Sequence, residues 1–321
     1  MKVLITGGTG SLGRALVRRL LRDGAERIVV YSRSESRQAE FAAELGEHEA
    51  LRWFIGDVRD RRRLGDAMWH CNAVIHTAAL KRVDAMAYNP DEVRKTNIQG
   101  SANVIDAALW AGVERLVMVS SDKAVAPTNV YGVSKAQMEA EAVASNSKTF
   151  PRGLRVACTR YGNVIGSTGS VVGLWRQAVA RGEPLTITDP DMTRFWLTLD
   201  QAVEVILTAL QRMEGGEIFV PLLPAMRLGD LADVLAGPEY PRKVVGLRHG
   251  GEKRHEILWT PEESERITPI TDGLVAIAPS FMSWRPDEPW PQRLGIGGTE
   301  YSSETAPHLY GEEMRRLLCA L

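Results

Sequence analysis

Tyr131 and Lys135 stand four residues apart at the start of a stretch, Val130 to Ala144, that reads as a helix, so both side chains leave one face. A free tyrosine titrates near pH ~10, and a neighbouring ammonium favours the phenolate, which turns such a pair into a base for an alcohol proton. Just upstream, Ser120-Ser121-Asp122-Lys123 closes the apolar run Leu116-Val117-Met118-Val119 and adds hydroxyls, an acid and a second amine. Near the amino end, Thr6-Gly7-Gly8-Thr9-Gly10-Ser11-Leu12-Gly13 joins Val3-Leu4-Ile5 to an amphipathic stretch. Glycines at 7, 10 and 13 let a backbone approach a pyrophosphate and aim a helix N-terminus at its charge. A Y-x-x-x-K pair alone is usually a helix surface, and a glycine triplet alone is usually a turn. Together, at strand ends, they point to oxidation of an alcohol beside a nicotinamide.

The elements that must position these residues alternate short apolar runs with amphipathic stretches, as parallel strands and crossover helices do. Strands are expected at 3–5, 28–31, 51–55, 73–76, 116–120 and 154–157, with helices from Leu12, from about Asn97 to Trp110, and over 130–144. This is an α/β, doubly wound parallel sheet of Rossmann type, with a smaller, interleaved C-terminal substrate-binding region. The expected division is 1–165 for the NADP-binding domain, with 195–220 returning to it, and 166–194 plus 221–321 for the substrate region. Asp200 to Met213 reads as a helix and Ile218-Phe219-Val220 as a strand. From Pro279 to Thr299 the density of Pro, Gly and Trp suggests irregular structure over the active site, with Trp284 and Trp290 as packing anchors.

At the end of the second strand, where NAD-specific folds place an acid for the ribose, the chain has Tyr31-Ser32-Arg33. A hydroxyl and a guanidinium suit a 2'-phosphate, which favours NADP, with NAD possible; the alternative is a solvated Arg33 with Glu35 on the ribose. Asp57 and Val58, after the third strand, can meet the adenine, or Asp57 can cap the next helix. Ala78 and Ala79 leave room for the dinucleotide, and Asn97 either holds the central strands apart or caps its helix. Arg61-Arg62-Arg63 reads as a solvated helix start.

The composition narrows the classes of partner. The 321 residues carry a formal net charge of -1, which provides no basic field for a nucleic acid. Cys71, Cys158 and Cys319 are too few for a disulfide framework or a zinc site, and no metal is expected. No apolar stretch is long enough to span a membrane, and no leader precedes the first strand, so a cytoplasmic, membrane-free protein is expected.

Beyond these residues the sequence resembles the extended short-chain dehydrogenase/reductases that modify nucleotide sugars. His76-Thr77-Ala78-Ala79-Leu80-Lys81-Arg82-Val83, Thr96-Asn97-Ile98-Gln99-Gly100, Ser121-Asp122-Lys123-Ala124-Val125, Arg160-Tyr161-Gly162-Asn163-Val164 and Met192-Thr193-Arg194-Phe195-Trp196 narrow the resemblance. Together they are similar to the UDP-N-acetylglucosamine 4,6-dehydratases of bacterial surface-glycan pathways, and most closely to the short enzymes that also invert C5 in pseudaminic acid synthesis. The resemblance implies a UDP-sugar substrate, a 4-keto-6-deoxy product and a homo-oligomer. Tyr131 would take the C4 hydroxyl proton, Lys123 the C5 proton once its ammonium is neutralised, and Asp122 would protonate the leaving C6 hydroxyl. Lys135 would bond the nicotinamide ribose. Substrate contacts are implied for Lys81, Ser121, Tyr161, Asn163, Val171, Thr193, Arg194, Arg248 and Lys253, with Lys81 also beside the cofactor. Arg248-His249-Gly250-Gly251-Glu252-Lys253 is one residue longer than the family's R-P-G-E-K, so Arg248 departs from the pattern. A 4-epimerase would need neither Asp122 nor Lys123 in these roles, and a non-catalytic NADP-binding protein would not need the Tyr-Lys pair.

Overall fold

Apolar runs of four to six residues, too short for a helix face and buried on both sides, become strands of one central sheet. The computed structural model describes residues 1–167, 169–248, 250–284 and 297–319. Its first six strands are β1 (Lys2–Thr6), β2 (Arg27–Ser32), β3 (Leu51–Ile55), β4 (Ala73–His76), β5 (Arg115–Val119) and β6 (Arg155–Thr159). They pair in parallel in the order β6-β5-β4-β1-β2-β3. The order reverses between β1 and β4, and a crevice opens there beyond the carboxyl ends of the strands. Crossovers run through α1 (Ser11–Arg22), α2 (Glu35–Leu45), α3 (Arg61–Met68), the short α4 (Val83–Met86) and α5 (Pro90–Val93), α6 (Gly100–Trp110) and α7 (Val130–Thr149). Val3, Leu4, Ile5, Val29, Val74 and Val117 are fully buried, which is why the glycine turn and the Ser120–Lys123 segment stand on rigid ground.

After β6 come β7 (Asn163–Val164), α8 (Val171–Ala180), β8 (Leu185–Ile187), β9 (Thr193–Leu197) and α9 (Leu199–Arg212). Next are β10 (Ile218–Pro221), β11 (Ala225–Arg227), α10 (Leu228–Ala236), β12 (Arg242–Val244) and β13 (Ile257–Trp259). The last are α11 (Pro261–Ser264), β14 (Ile267–Thr271), β15 (Leu274–Ile277), β16 (Tyr301–Ser302) and α12 (Gly311–Cys319). β10 joins the main sheet parallel to β6, and α9, closed at its start by a Thr198–Gln201 capping box, packs against α1. β15 and β14 then extend that sheet antiparallel to nine strands, so 267–277 lies in the main sheet although its sequence rhythm groups it with the substrate region. A second core gathers Ile165, Val172, Trp175, Leu185, Trp196, Met226, Leu231 and Met314 under the smaller sheets.

The helix expected to open at Asn97 begins at Pro90 instead and runs through a wide π-type turn over 94–99 into α6. Proline at its first turn loses no hydrogen bond there and supplies the start. Trp284 is buried against Phe281. Trp290 and most of the 279–299 stretch lie outside the described residues. No helix among the described residues is long and apolar enough to cross a membrane.

Candidate active site

Gly7 takes the left-handed φ of 69° that turns the chain out of β1, and its carbonyl accepts from Gly10 N at 2.9 Å. A Cβ on Gly13 would lie 2.5 Å from Gly7 O, so only glycine lets α1 pack this close to the turn. Among the described residues no side chain caps α1, and its first turn carries no acid, which leaves the N-terminus fit for an anion. Ser11 and Leu12 form that first turn. The floor beneath is a chain of hydrogen bonds. Ala78 N donates to Thr6 Oγ1, which lies 2.7 Å from His76 Nδ1, while His76 Nε2 lies 3.1 Å from Ser101 Oγ. Burial pushes the His76 imidazole down to about 3, so it is neutral.

The Ser32 hydroxyl accepts from Gln38 Nε2 at 3.0 Å, and Arg33 extends from β2 with a 59% exposed side chain, 3.9 Å from Asp57 Oδ2. Asp57 caps no helix. Its Oδ1 accepts from Arg59 N, while Asp60 caps α3. Val58 is buried beneath Gly100, and Ala79 lies beside Ala78 at the crevice. Asn97 neither parts the strands nor caps a helix. Its amide clamps the backbone of Leu80 through both N and O and donates to Ser134 Oγ on α7, tying the loop after β4 to the Tyr131 helix. Lys81 follows that loop, exposed at its surface, and has no acidic partner among the described residues. Of the three arginines after Asp60, Arg63 lies over the Phe54 ring and donates to Ile55 O rather than standing in solvent.

At the ends of β5 and β6 the proton-handling groups converge. Asp122 is fully buried. Its Oδ1 accepts from Ser121 Oγ at 2.8 Å and from Lys123 Nζ at 3.0 Å, while its Oδ2 has no hydrogen-bond partner among the described residues. Burial raises the carboxyl's pKa, Lys123 opposes that rise and Glu256 adds to it. Lys123 Nζ also meets Asn163 Oδ1 at 3.4 Å and Glu256 Oε1 at 3.2 Å. Burial opposes its charge, but Asp122 and Glu256 together prevail and raise its pKa, so its ammonium is stabilised rather than neutralised.

Asn129 caps α7 and seats Tyr131 in its first turn. Burial raises the Tyr131 pKa, and the cation that counters it is Lys123, not Lys135 as the four-residue spacing suggests. Lys135 donates instead to Val119 O at 2.6 Å, and burial pulls its pKa down to about 8. Among the described residues the buried Tyr161 hydroxyl has no partner, nor does Ser120 Oγ just after β5.

The residues from the smaller region are more deeply engaged than their expected role as open substrate contacts. Arg194 donates to Thr193 O, Arg254 O and Glu252, so most of its fork is bound within the protein. The Thr193 hydroxyl is buried between Ser303 Oγ and His255 Nδ1. Lys253 Nζ bonds Val125 O at 2.8 Å and faces Glu256 at 2.9 Å. Arg248 is exposed, 3.7 Å from Glu252, and Val171 opens α8. Glu256 is the residue that sequence reasoning missed. It follows Gly251-Glu252-Lys253 by three residues, but its partners come from 123, 194 and 253, and only the fold brings them together.

Residues 3–277 match the family model described as polysaccharide biosynthesis protein. A Campylobacter jejuni protein named UDP-N-acetylglucosamine 4,6-dehydratase (inverting) is 44% identical over 281 residues, 87% of this chain and 83% of that protein. A group of Rickettsia proteins at 37–39% identity is named UDP-glucose 4-epimerase. Among solved structures, Pen from Bacillus thuringiensis superposes with a TM-score of 0.91 at 32% identity, covering 100% of this chain and 98% of that one. DesIV, a dTDP-glucose 4,6-dehydratase from Streptomyces venezuelae solved with NAD and TYD bound, has a TM-score of 0.71 at 26% identity, covering 78% of this chain and 86% of that one.

Proposed function

The chain belongs to the polysaccharide biosynthesis protein family, and from that premise we propose that it is a UDP-N-acetylglucosamine 4,6-dehydratase that inverts C5 and borrows NADP for an internal redox cycle. The observation that carries this reading is the Asp122–Lys123 pair beside Tyr131. Oxidising an alcohol needs Tyr131 and Lys135 alone. Removing water from C5 and C6 needs two further groups, one that takes the C5 proton and one that gives a proton to the C6 hydroxyl. Asp122, with its pKa raised and Oδ2 unpartnered, suits the second task. Lys123 suits the first from its neutral form, so loss of its proton precedes that step.

The dinucleotide supplies a hydride acceptor at C4 and the same hydride for C6. Tyr131 receives the C4 hydroxyl proton, Lys135 holds the nicotinamide ribose, and the proton that Asp122 gives up offsets the one Tyr131 gains. The sugar therefore loses one water with no net oxidation. A proton delivered from solvent to C5 on the face opposite Lys123 inverts that carbon, while Lys123 returns the proton it took to solvent. Substrate labelled with deuterium at C4 tests the reading against its rival. A dehydratase delivers the label to C6, whereas a 4-epimerase, the name of the Rickettsia relatives, keeps it at C4.

NADP is favoured over NAD by Arg33 at the end of β2, where a guanidinium suits a 2'-phosphate. Mass spectrometry of the cofactor released on denaturation decides this; recovery of NAD alone, the dinucleotide bound in DesIV, refutes it. Residues 1–165, with α9 and β10, serve the dinucleotide, and the smaller region serves the UDP-sugar. Ser121, Tyr161 and Asn163 border that sugar, with Lys81 and Lys253 nearest its charge. The cytoplasm, where nucleotide sugars and nicotinamide dinucleotides are both available, is the site of this reaction. Exposed Trp69 and Trp110, at the ends of the packed helices α3 and α6, support a homo-oligomer.

A further inference from the structure

Glu256 has no part in the steps above, yet the cations of the active site gather around it. Its side chain is 2% exposed. Oε1 lies 3.2 Å from Lys123 Nζ and 4.0 Å from Arg194 Nε, and Oε2 lies 2.9 Å from Lys253 Nζ. Its backbone is fixed on both sides, since N donates to Ser303 Oγ at 2.9 Å and O accepts from Ser303 N at 2.8 Å. A carboxylate this deeply buried is costly unless cations surround it. Lysine is also a flexible point charge on a four-carbon stem, and a neighbouring acid in the sequence does not by itself fix where its amine sits. Here Asp122, Asn163 and Glu256 fix it from three separate segments.

We propose that Glu256 is a positioning residue of the dehydration, holding the Lys123 amine where C5 must meet it and governing how firmly that amine keeps its proton. The inference rests on Lys123 as the C5 base. The groups facing Lys123 are Asp122, Glu256, Asn163, Arg194 and Tyr131, and those facing Glu256 are Lys123, Lys253, Arg194 and the Asp122 carboxyl, whose proton Glu256 helps to retain. Removing the Glu256 charge leaves Asp122 alone to oppose burial and Arg194, so Lys123 should release its proton at lower pH. Removing Lys253 leaves the whole Glu256 charge to Lys123 and Arg194, so the release should move to higher pH.

The test is uptake of solvent deuterium at C5 during turnover in heavy water, followed by NMR between about pH 6 and 10 at saturating substrate; this range lies below the raised Lys123 value, so uptake climbs about tenfold per pH unit, and the rise is read as the pH at which uptake reaches a fixed rate. In Glu256→Gln the pH at which uptake rises is expected to fall by about one unit or more, equivalent to roughly tenfold more neutral Lys123 below it. Glu256→Asp, which keeps the charge, should return the rise toward its wild-type position, and Lys253→Met should move it upward. A role for Glu256 confined to folding would move none of these. If the rise stays put in both Glu256→Gln and Lys253→Met, the inference is overturned. Should Glu256→Gln fail to fold, Lys253→Met decides alone: an upward shift supports the inference, and no shift or a downward one overturns it. Uptake that persists in Lys123→Ala instead refutes the base assignment, a result distinct from an unmoved pH profile.

Discussion

Replacing Arg160 by Met removes a cation that is 3% exposed and leaves its two carboxylate partners in place. Its guanidinium bonds both oxygens of Glu139 at 3.0 and 2.7 Å, both oxygens of Glu263 at 2.8 and 2.9 Å, and Leu258 O at 2.9 Å. Glu139 stands one helical turn beyond Lys135 on α7, so the triad anchors the catalytic helix to β6 and to α11. Breaking a buried ion pair by removing one partner costs about 3–5 kcal/mol, because a charge is left without compensation. Against a folding free energy of about 5–15 kcal/mol, that is a large fraction. Urea unfolding followed by tryptophan fluorescence should show a lower midpoint with an unchanged slope.

The deficit should also depend on pH. Burial pushes the Glu263 carboxyl up, but Arg160 prevails and holds it below its ordinary value. A carboxyl lowered on folding contributes stability that is present above its unfolded pKa, about 4.3, and lost as pH falls through the folded value. The variant lacks that contribution. The gap to wild type should therefore be widest at neutral pH and narrow below about pH 4. A loss under about 1 kcal/mol at neutral pH would mean that the triad behaves as a surface pair, and the reasoning would be wrong.

Gly13→Ala places a Cβ 2.5 Å from Gly7 O, so the turn must shift, and fluorescence titration should show dinucleotide affinity falling by about tenfold or more; a change within about twofold contradicts the packing argument. Tyr131→Phe keeps the ring and removes the proton acceptor, so turnover should fall by about 10²–10⁴-fold while dinucleotide binding persists, and turnover within about tenfold of wild type removes Tyr131 from the chemistry. Lys135 keeps its ammonium below about pH 8 and loses it above. Dinucleotide affinity should therefore weaken as pH rises through that value, and the same titration of Lys135→Met should lose this dependence; identical profiles for the two proteins contradict the role.

Strands such as Val3-Leu4-Ile5 and Ile28-Val29-Val30-Tyr31 are legible in the sequence because a parallel strand buried on both faces is an unbroken apolar run. β7, β8 and β12, of two or three residues, are too short to show any period, so the smaller region is visible only as a loss of rhythm. Asn97 looks like a helix start because asparagine favours caps, but here its amide serves a tertiary clamp while Pro90 opens the helix. The spacing of Tyr131 and Lys135 is read correctly from sequence, but their electrostatics are not. Where the Lys135 amine points depends on Val119 O, a backbone atom that no residue pattern announces. Glu256 is hidden for the same reason, since its meaning lies mainly in Lys123 and Arg194, two cations distant along the chain that the fold brings beside the neighbouring Lys253.

Dehydration with inversion at C5 is tested most directly by incubating the protein with UDP-N-acetylglucosamine and following the sugar by proton NMR. The expected product carries a C6 methyl group beside a C4 ketone, with couplings at C5 that report the inverted configuration. A product that keeps its C6 hydroxyl and differs from the substrate only at C4 would contradict the account, because Asp122 and Lys123 would then have no water to remove.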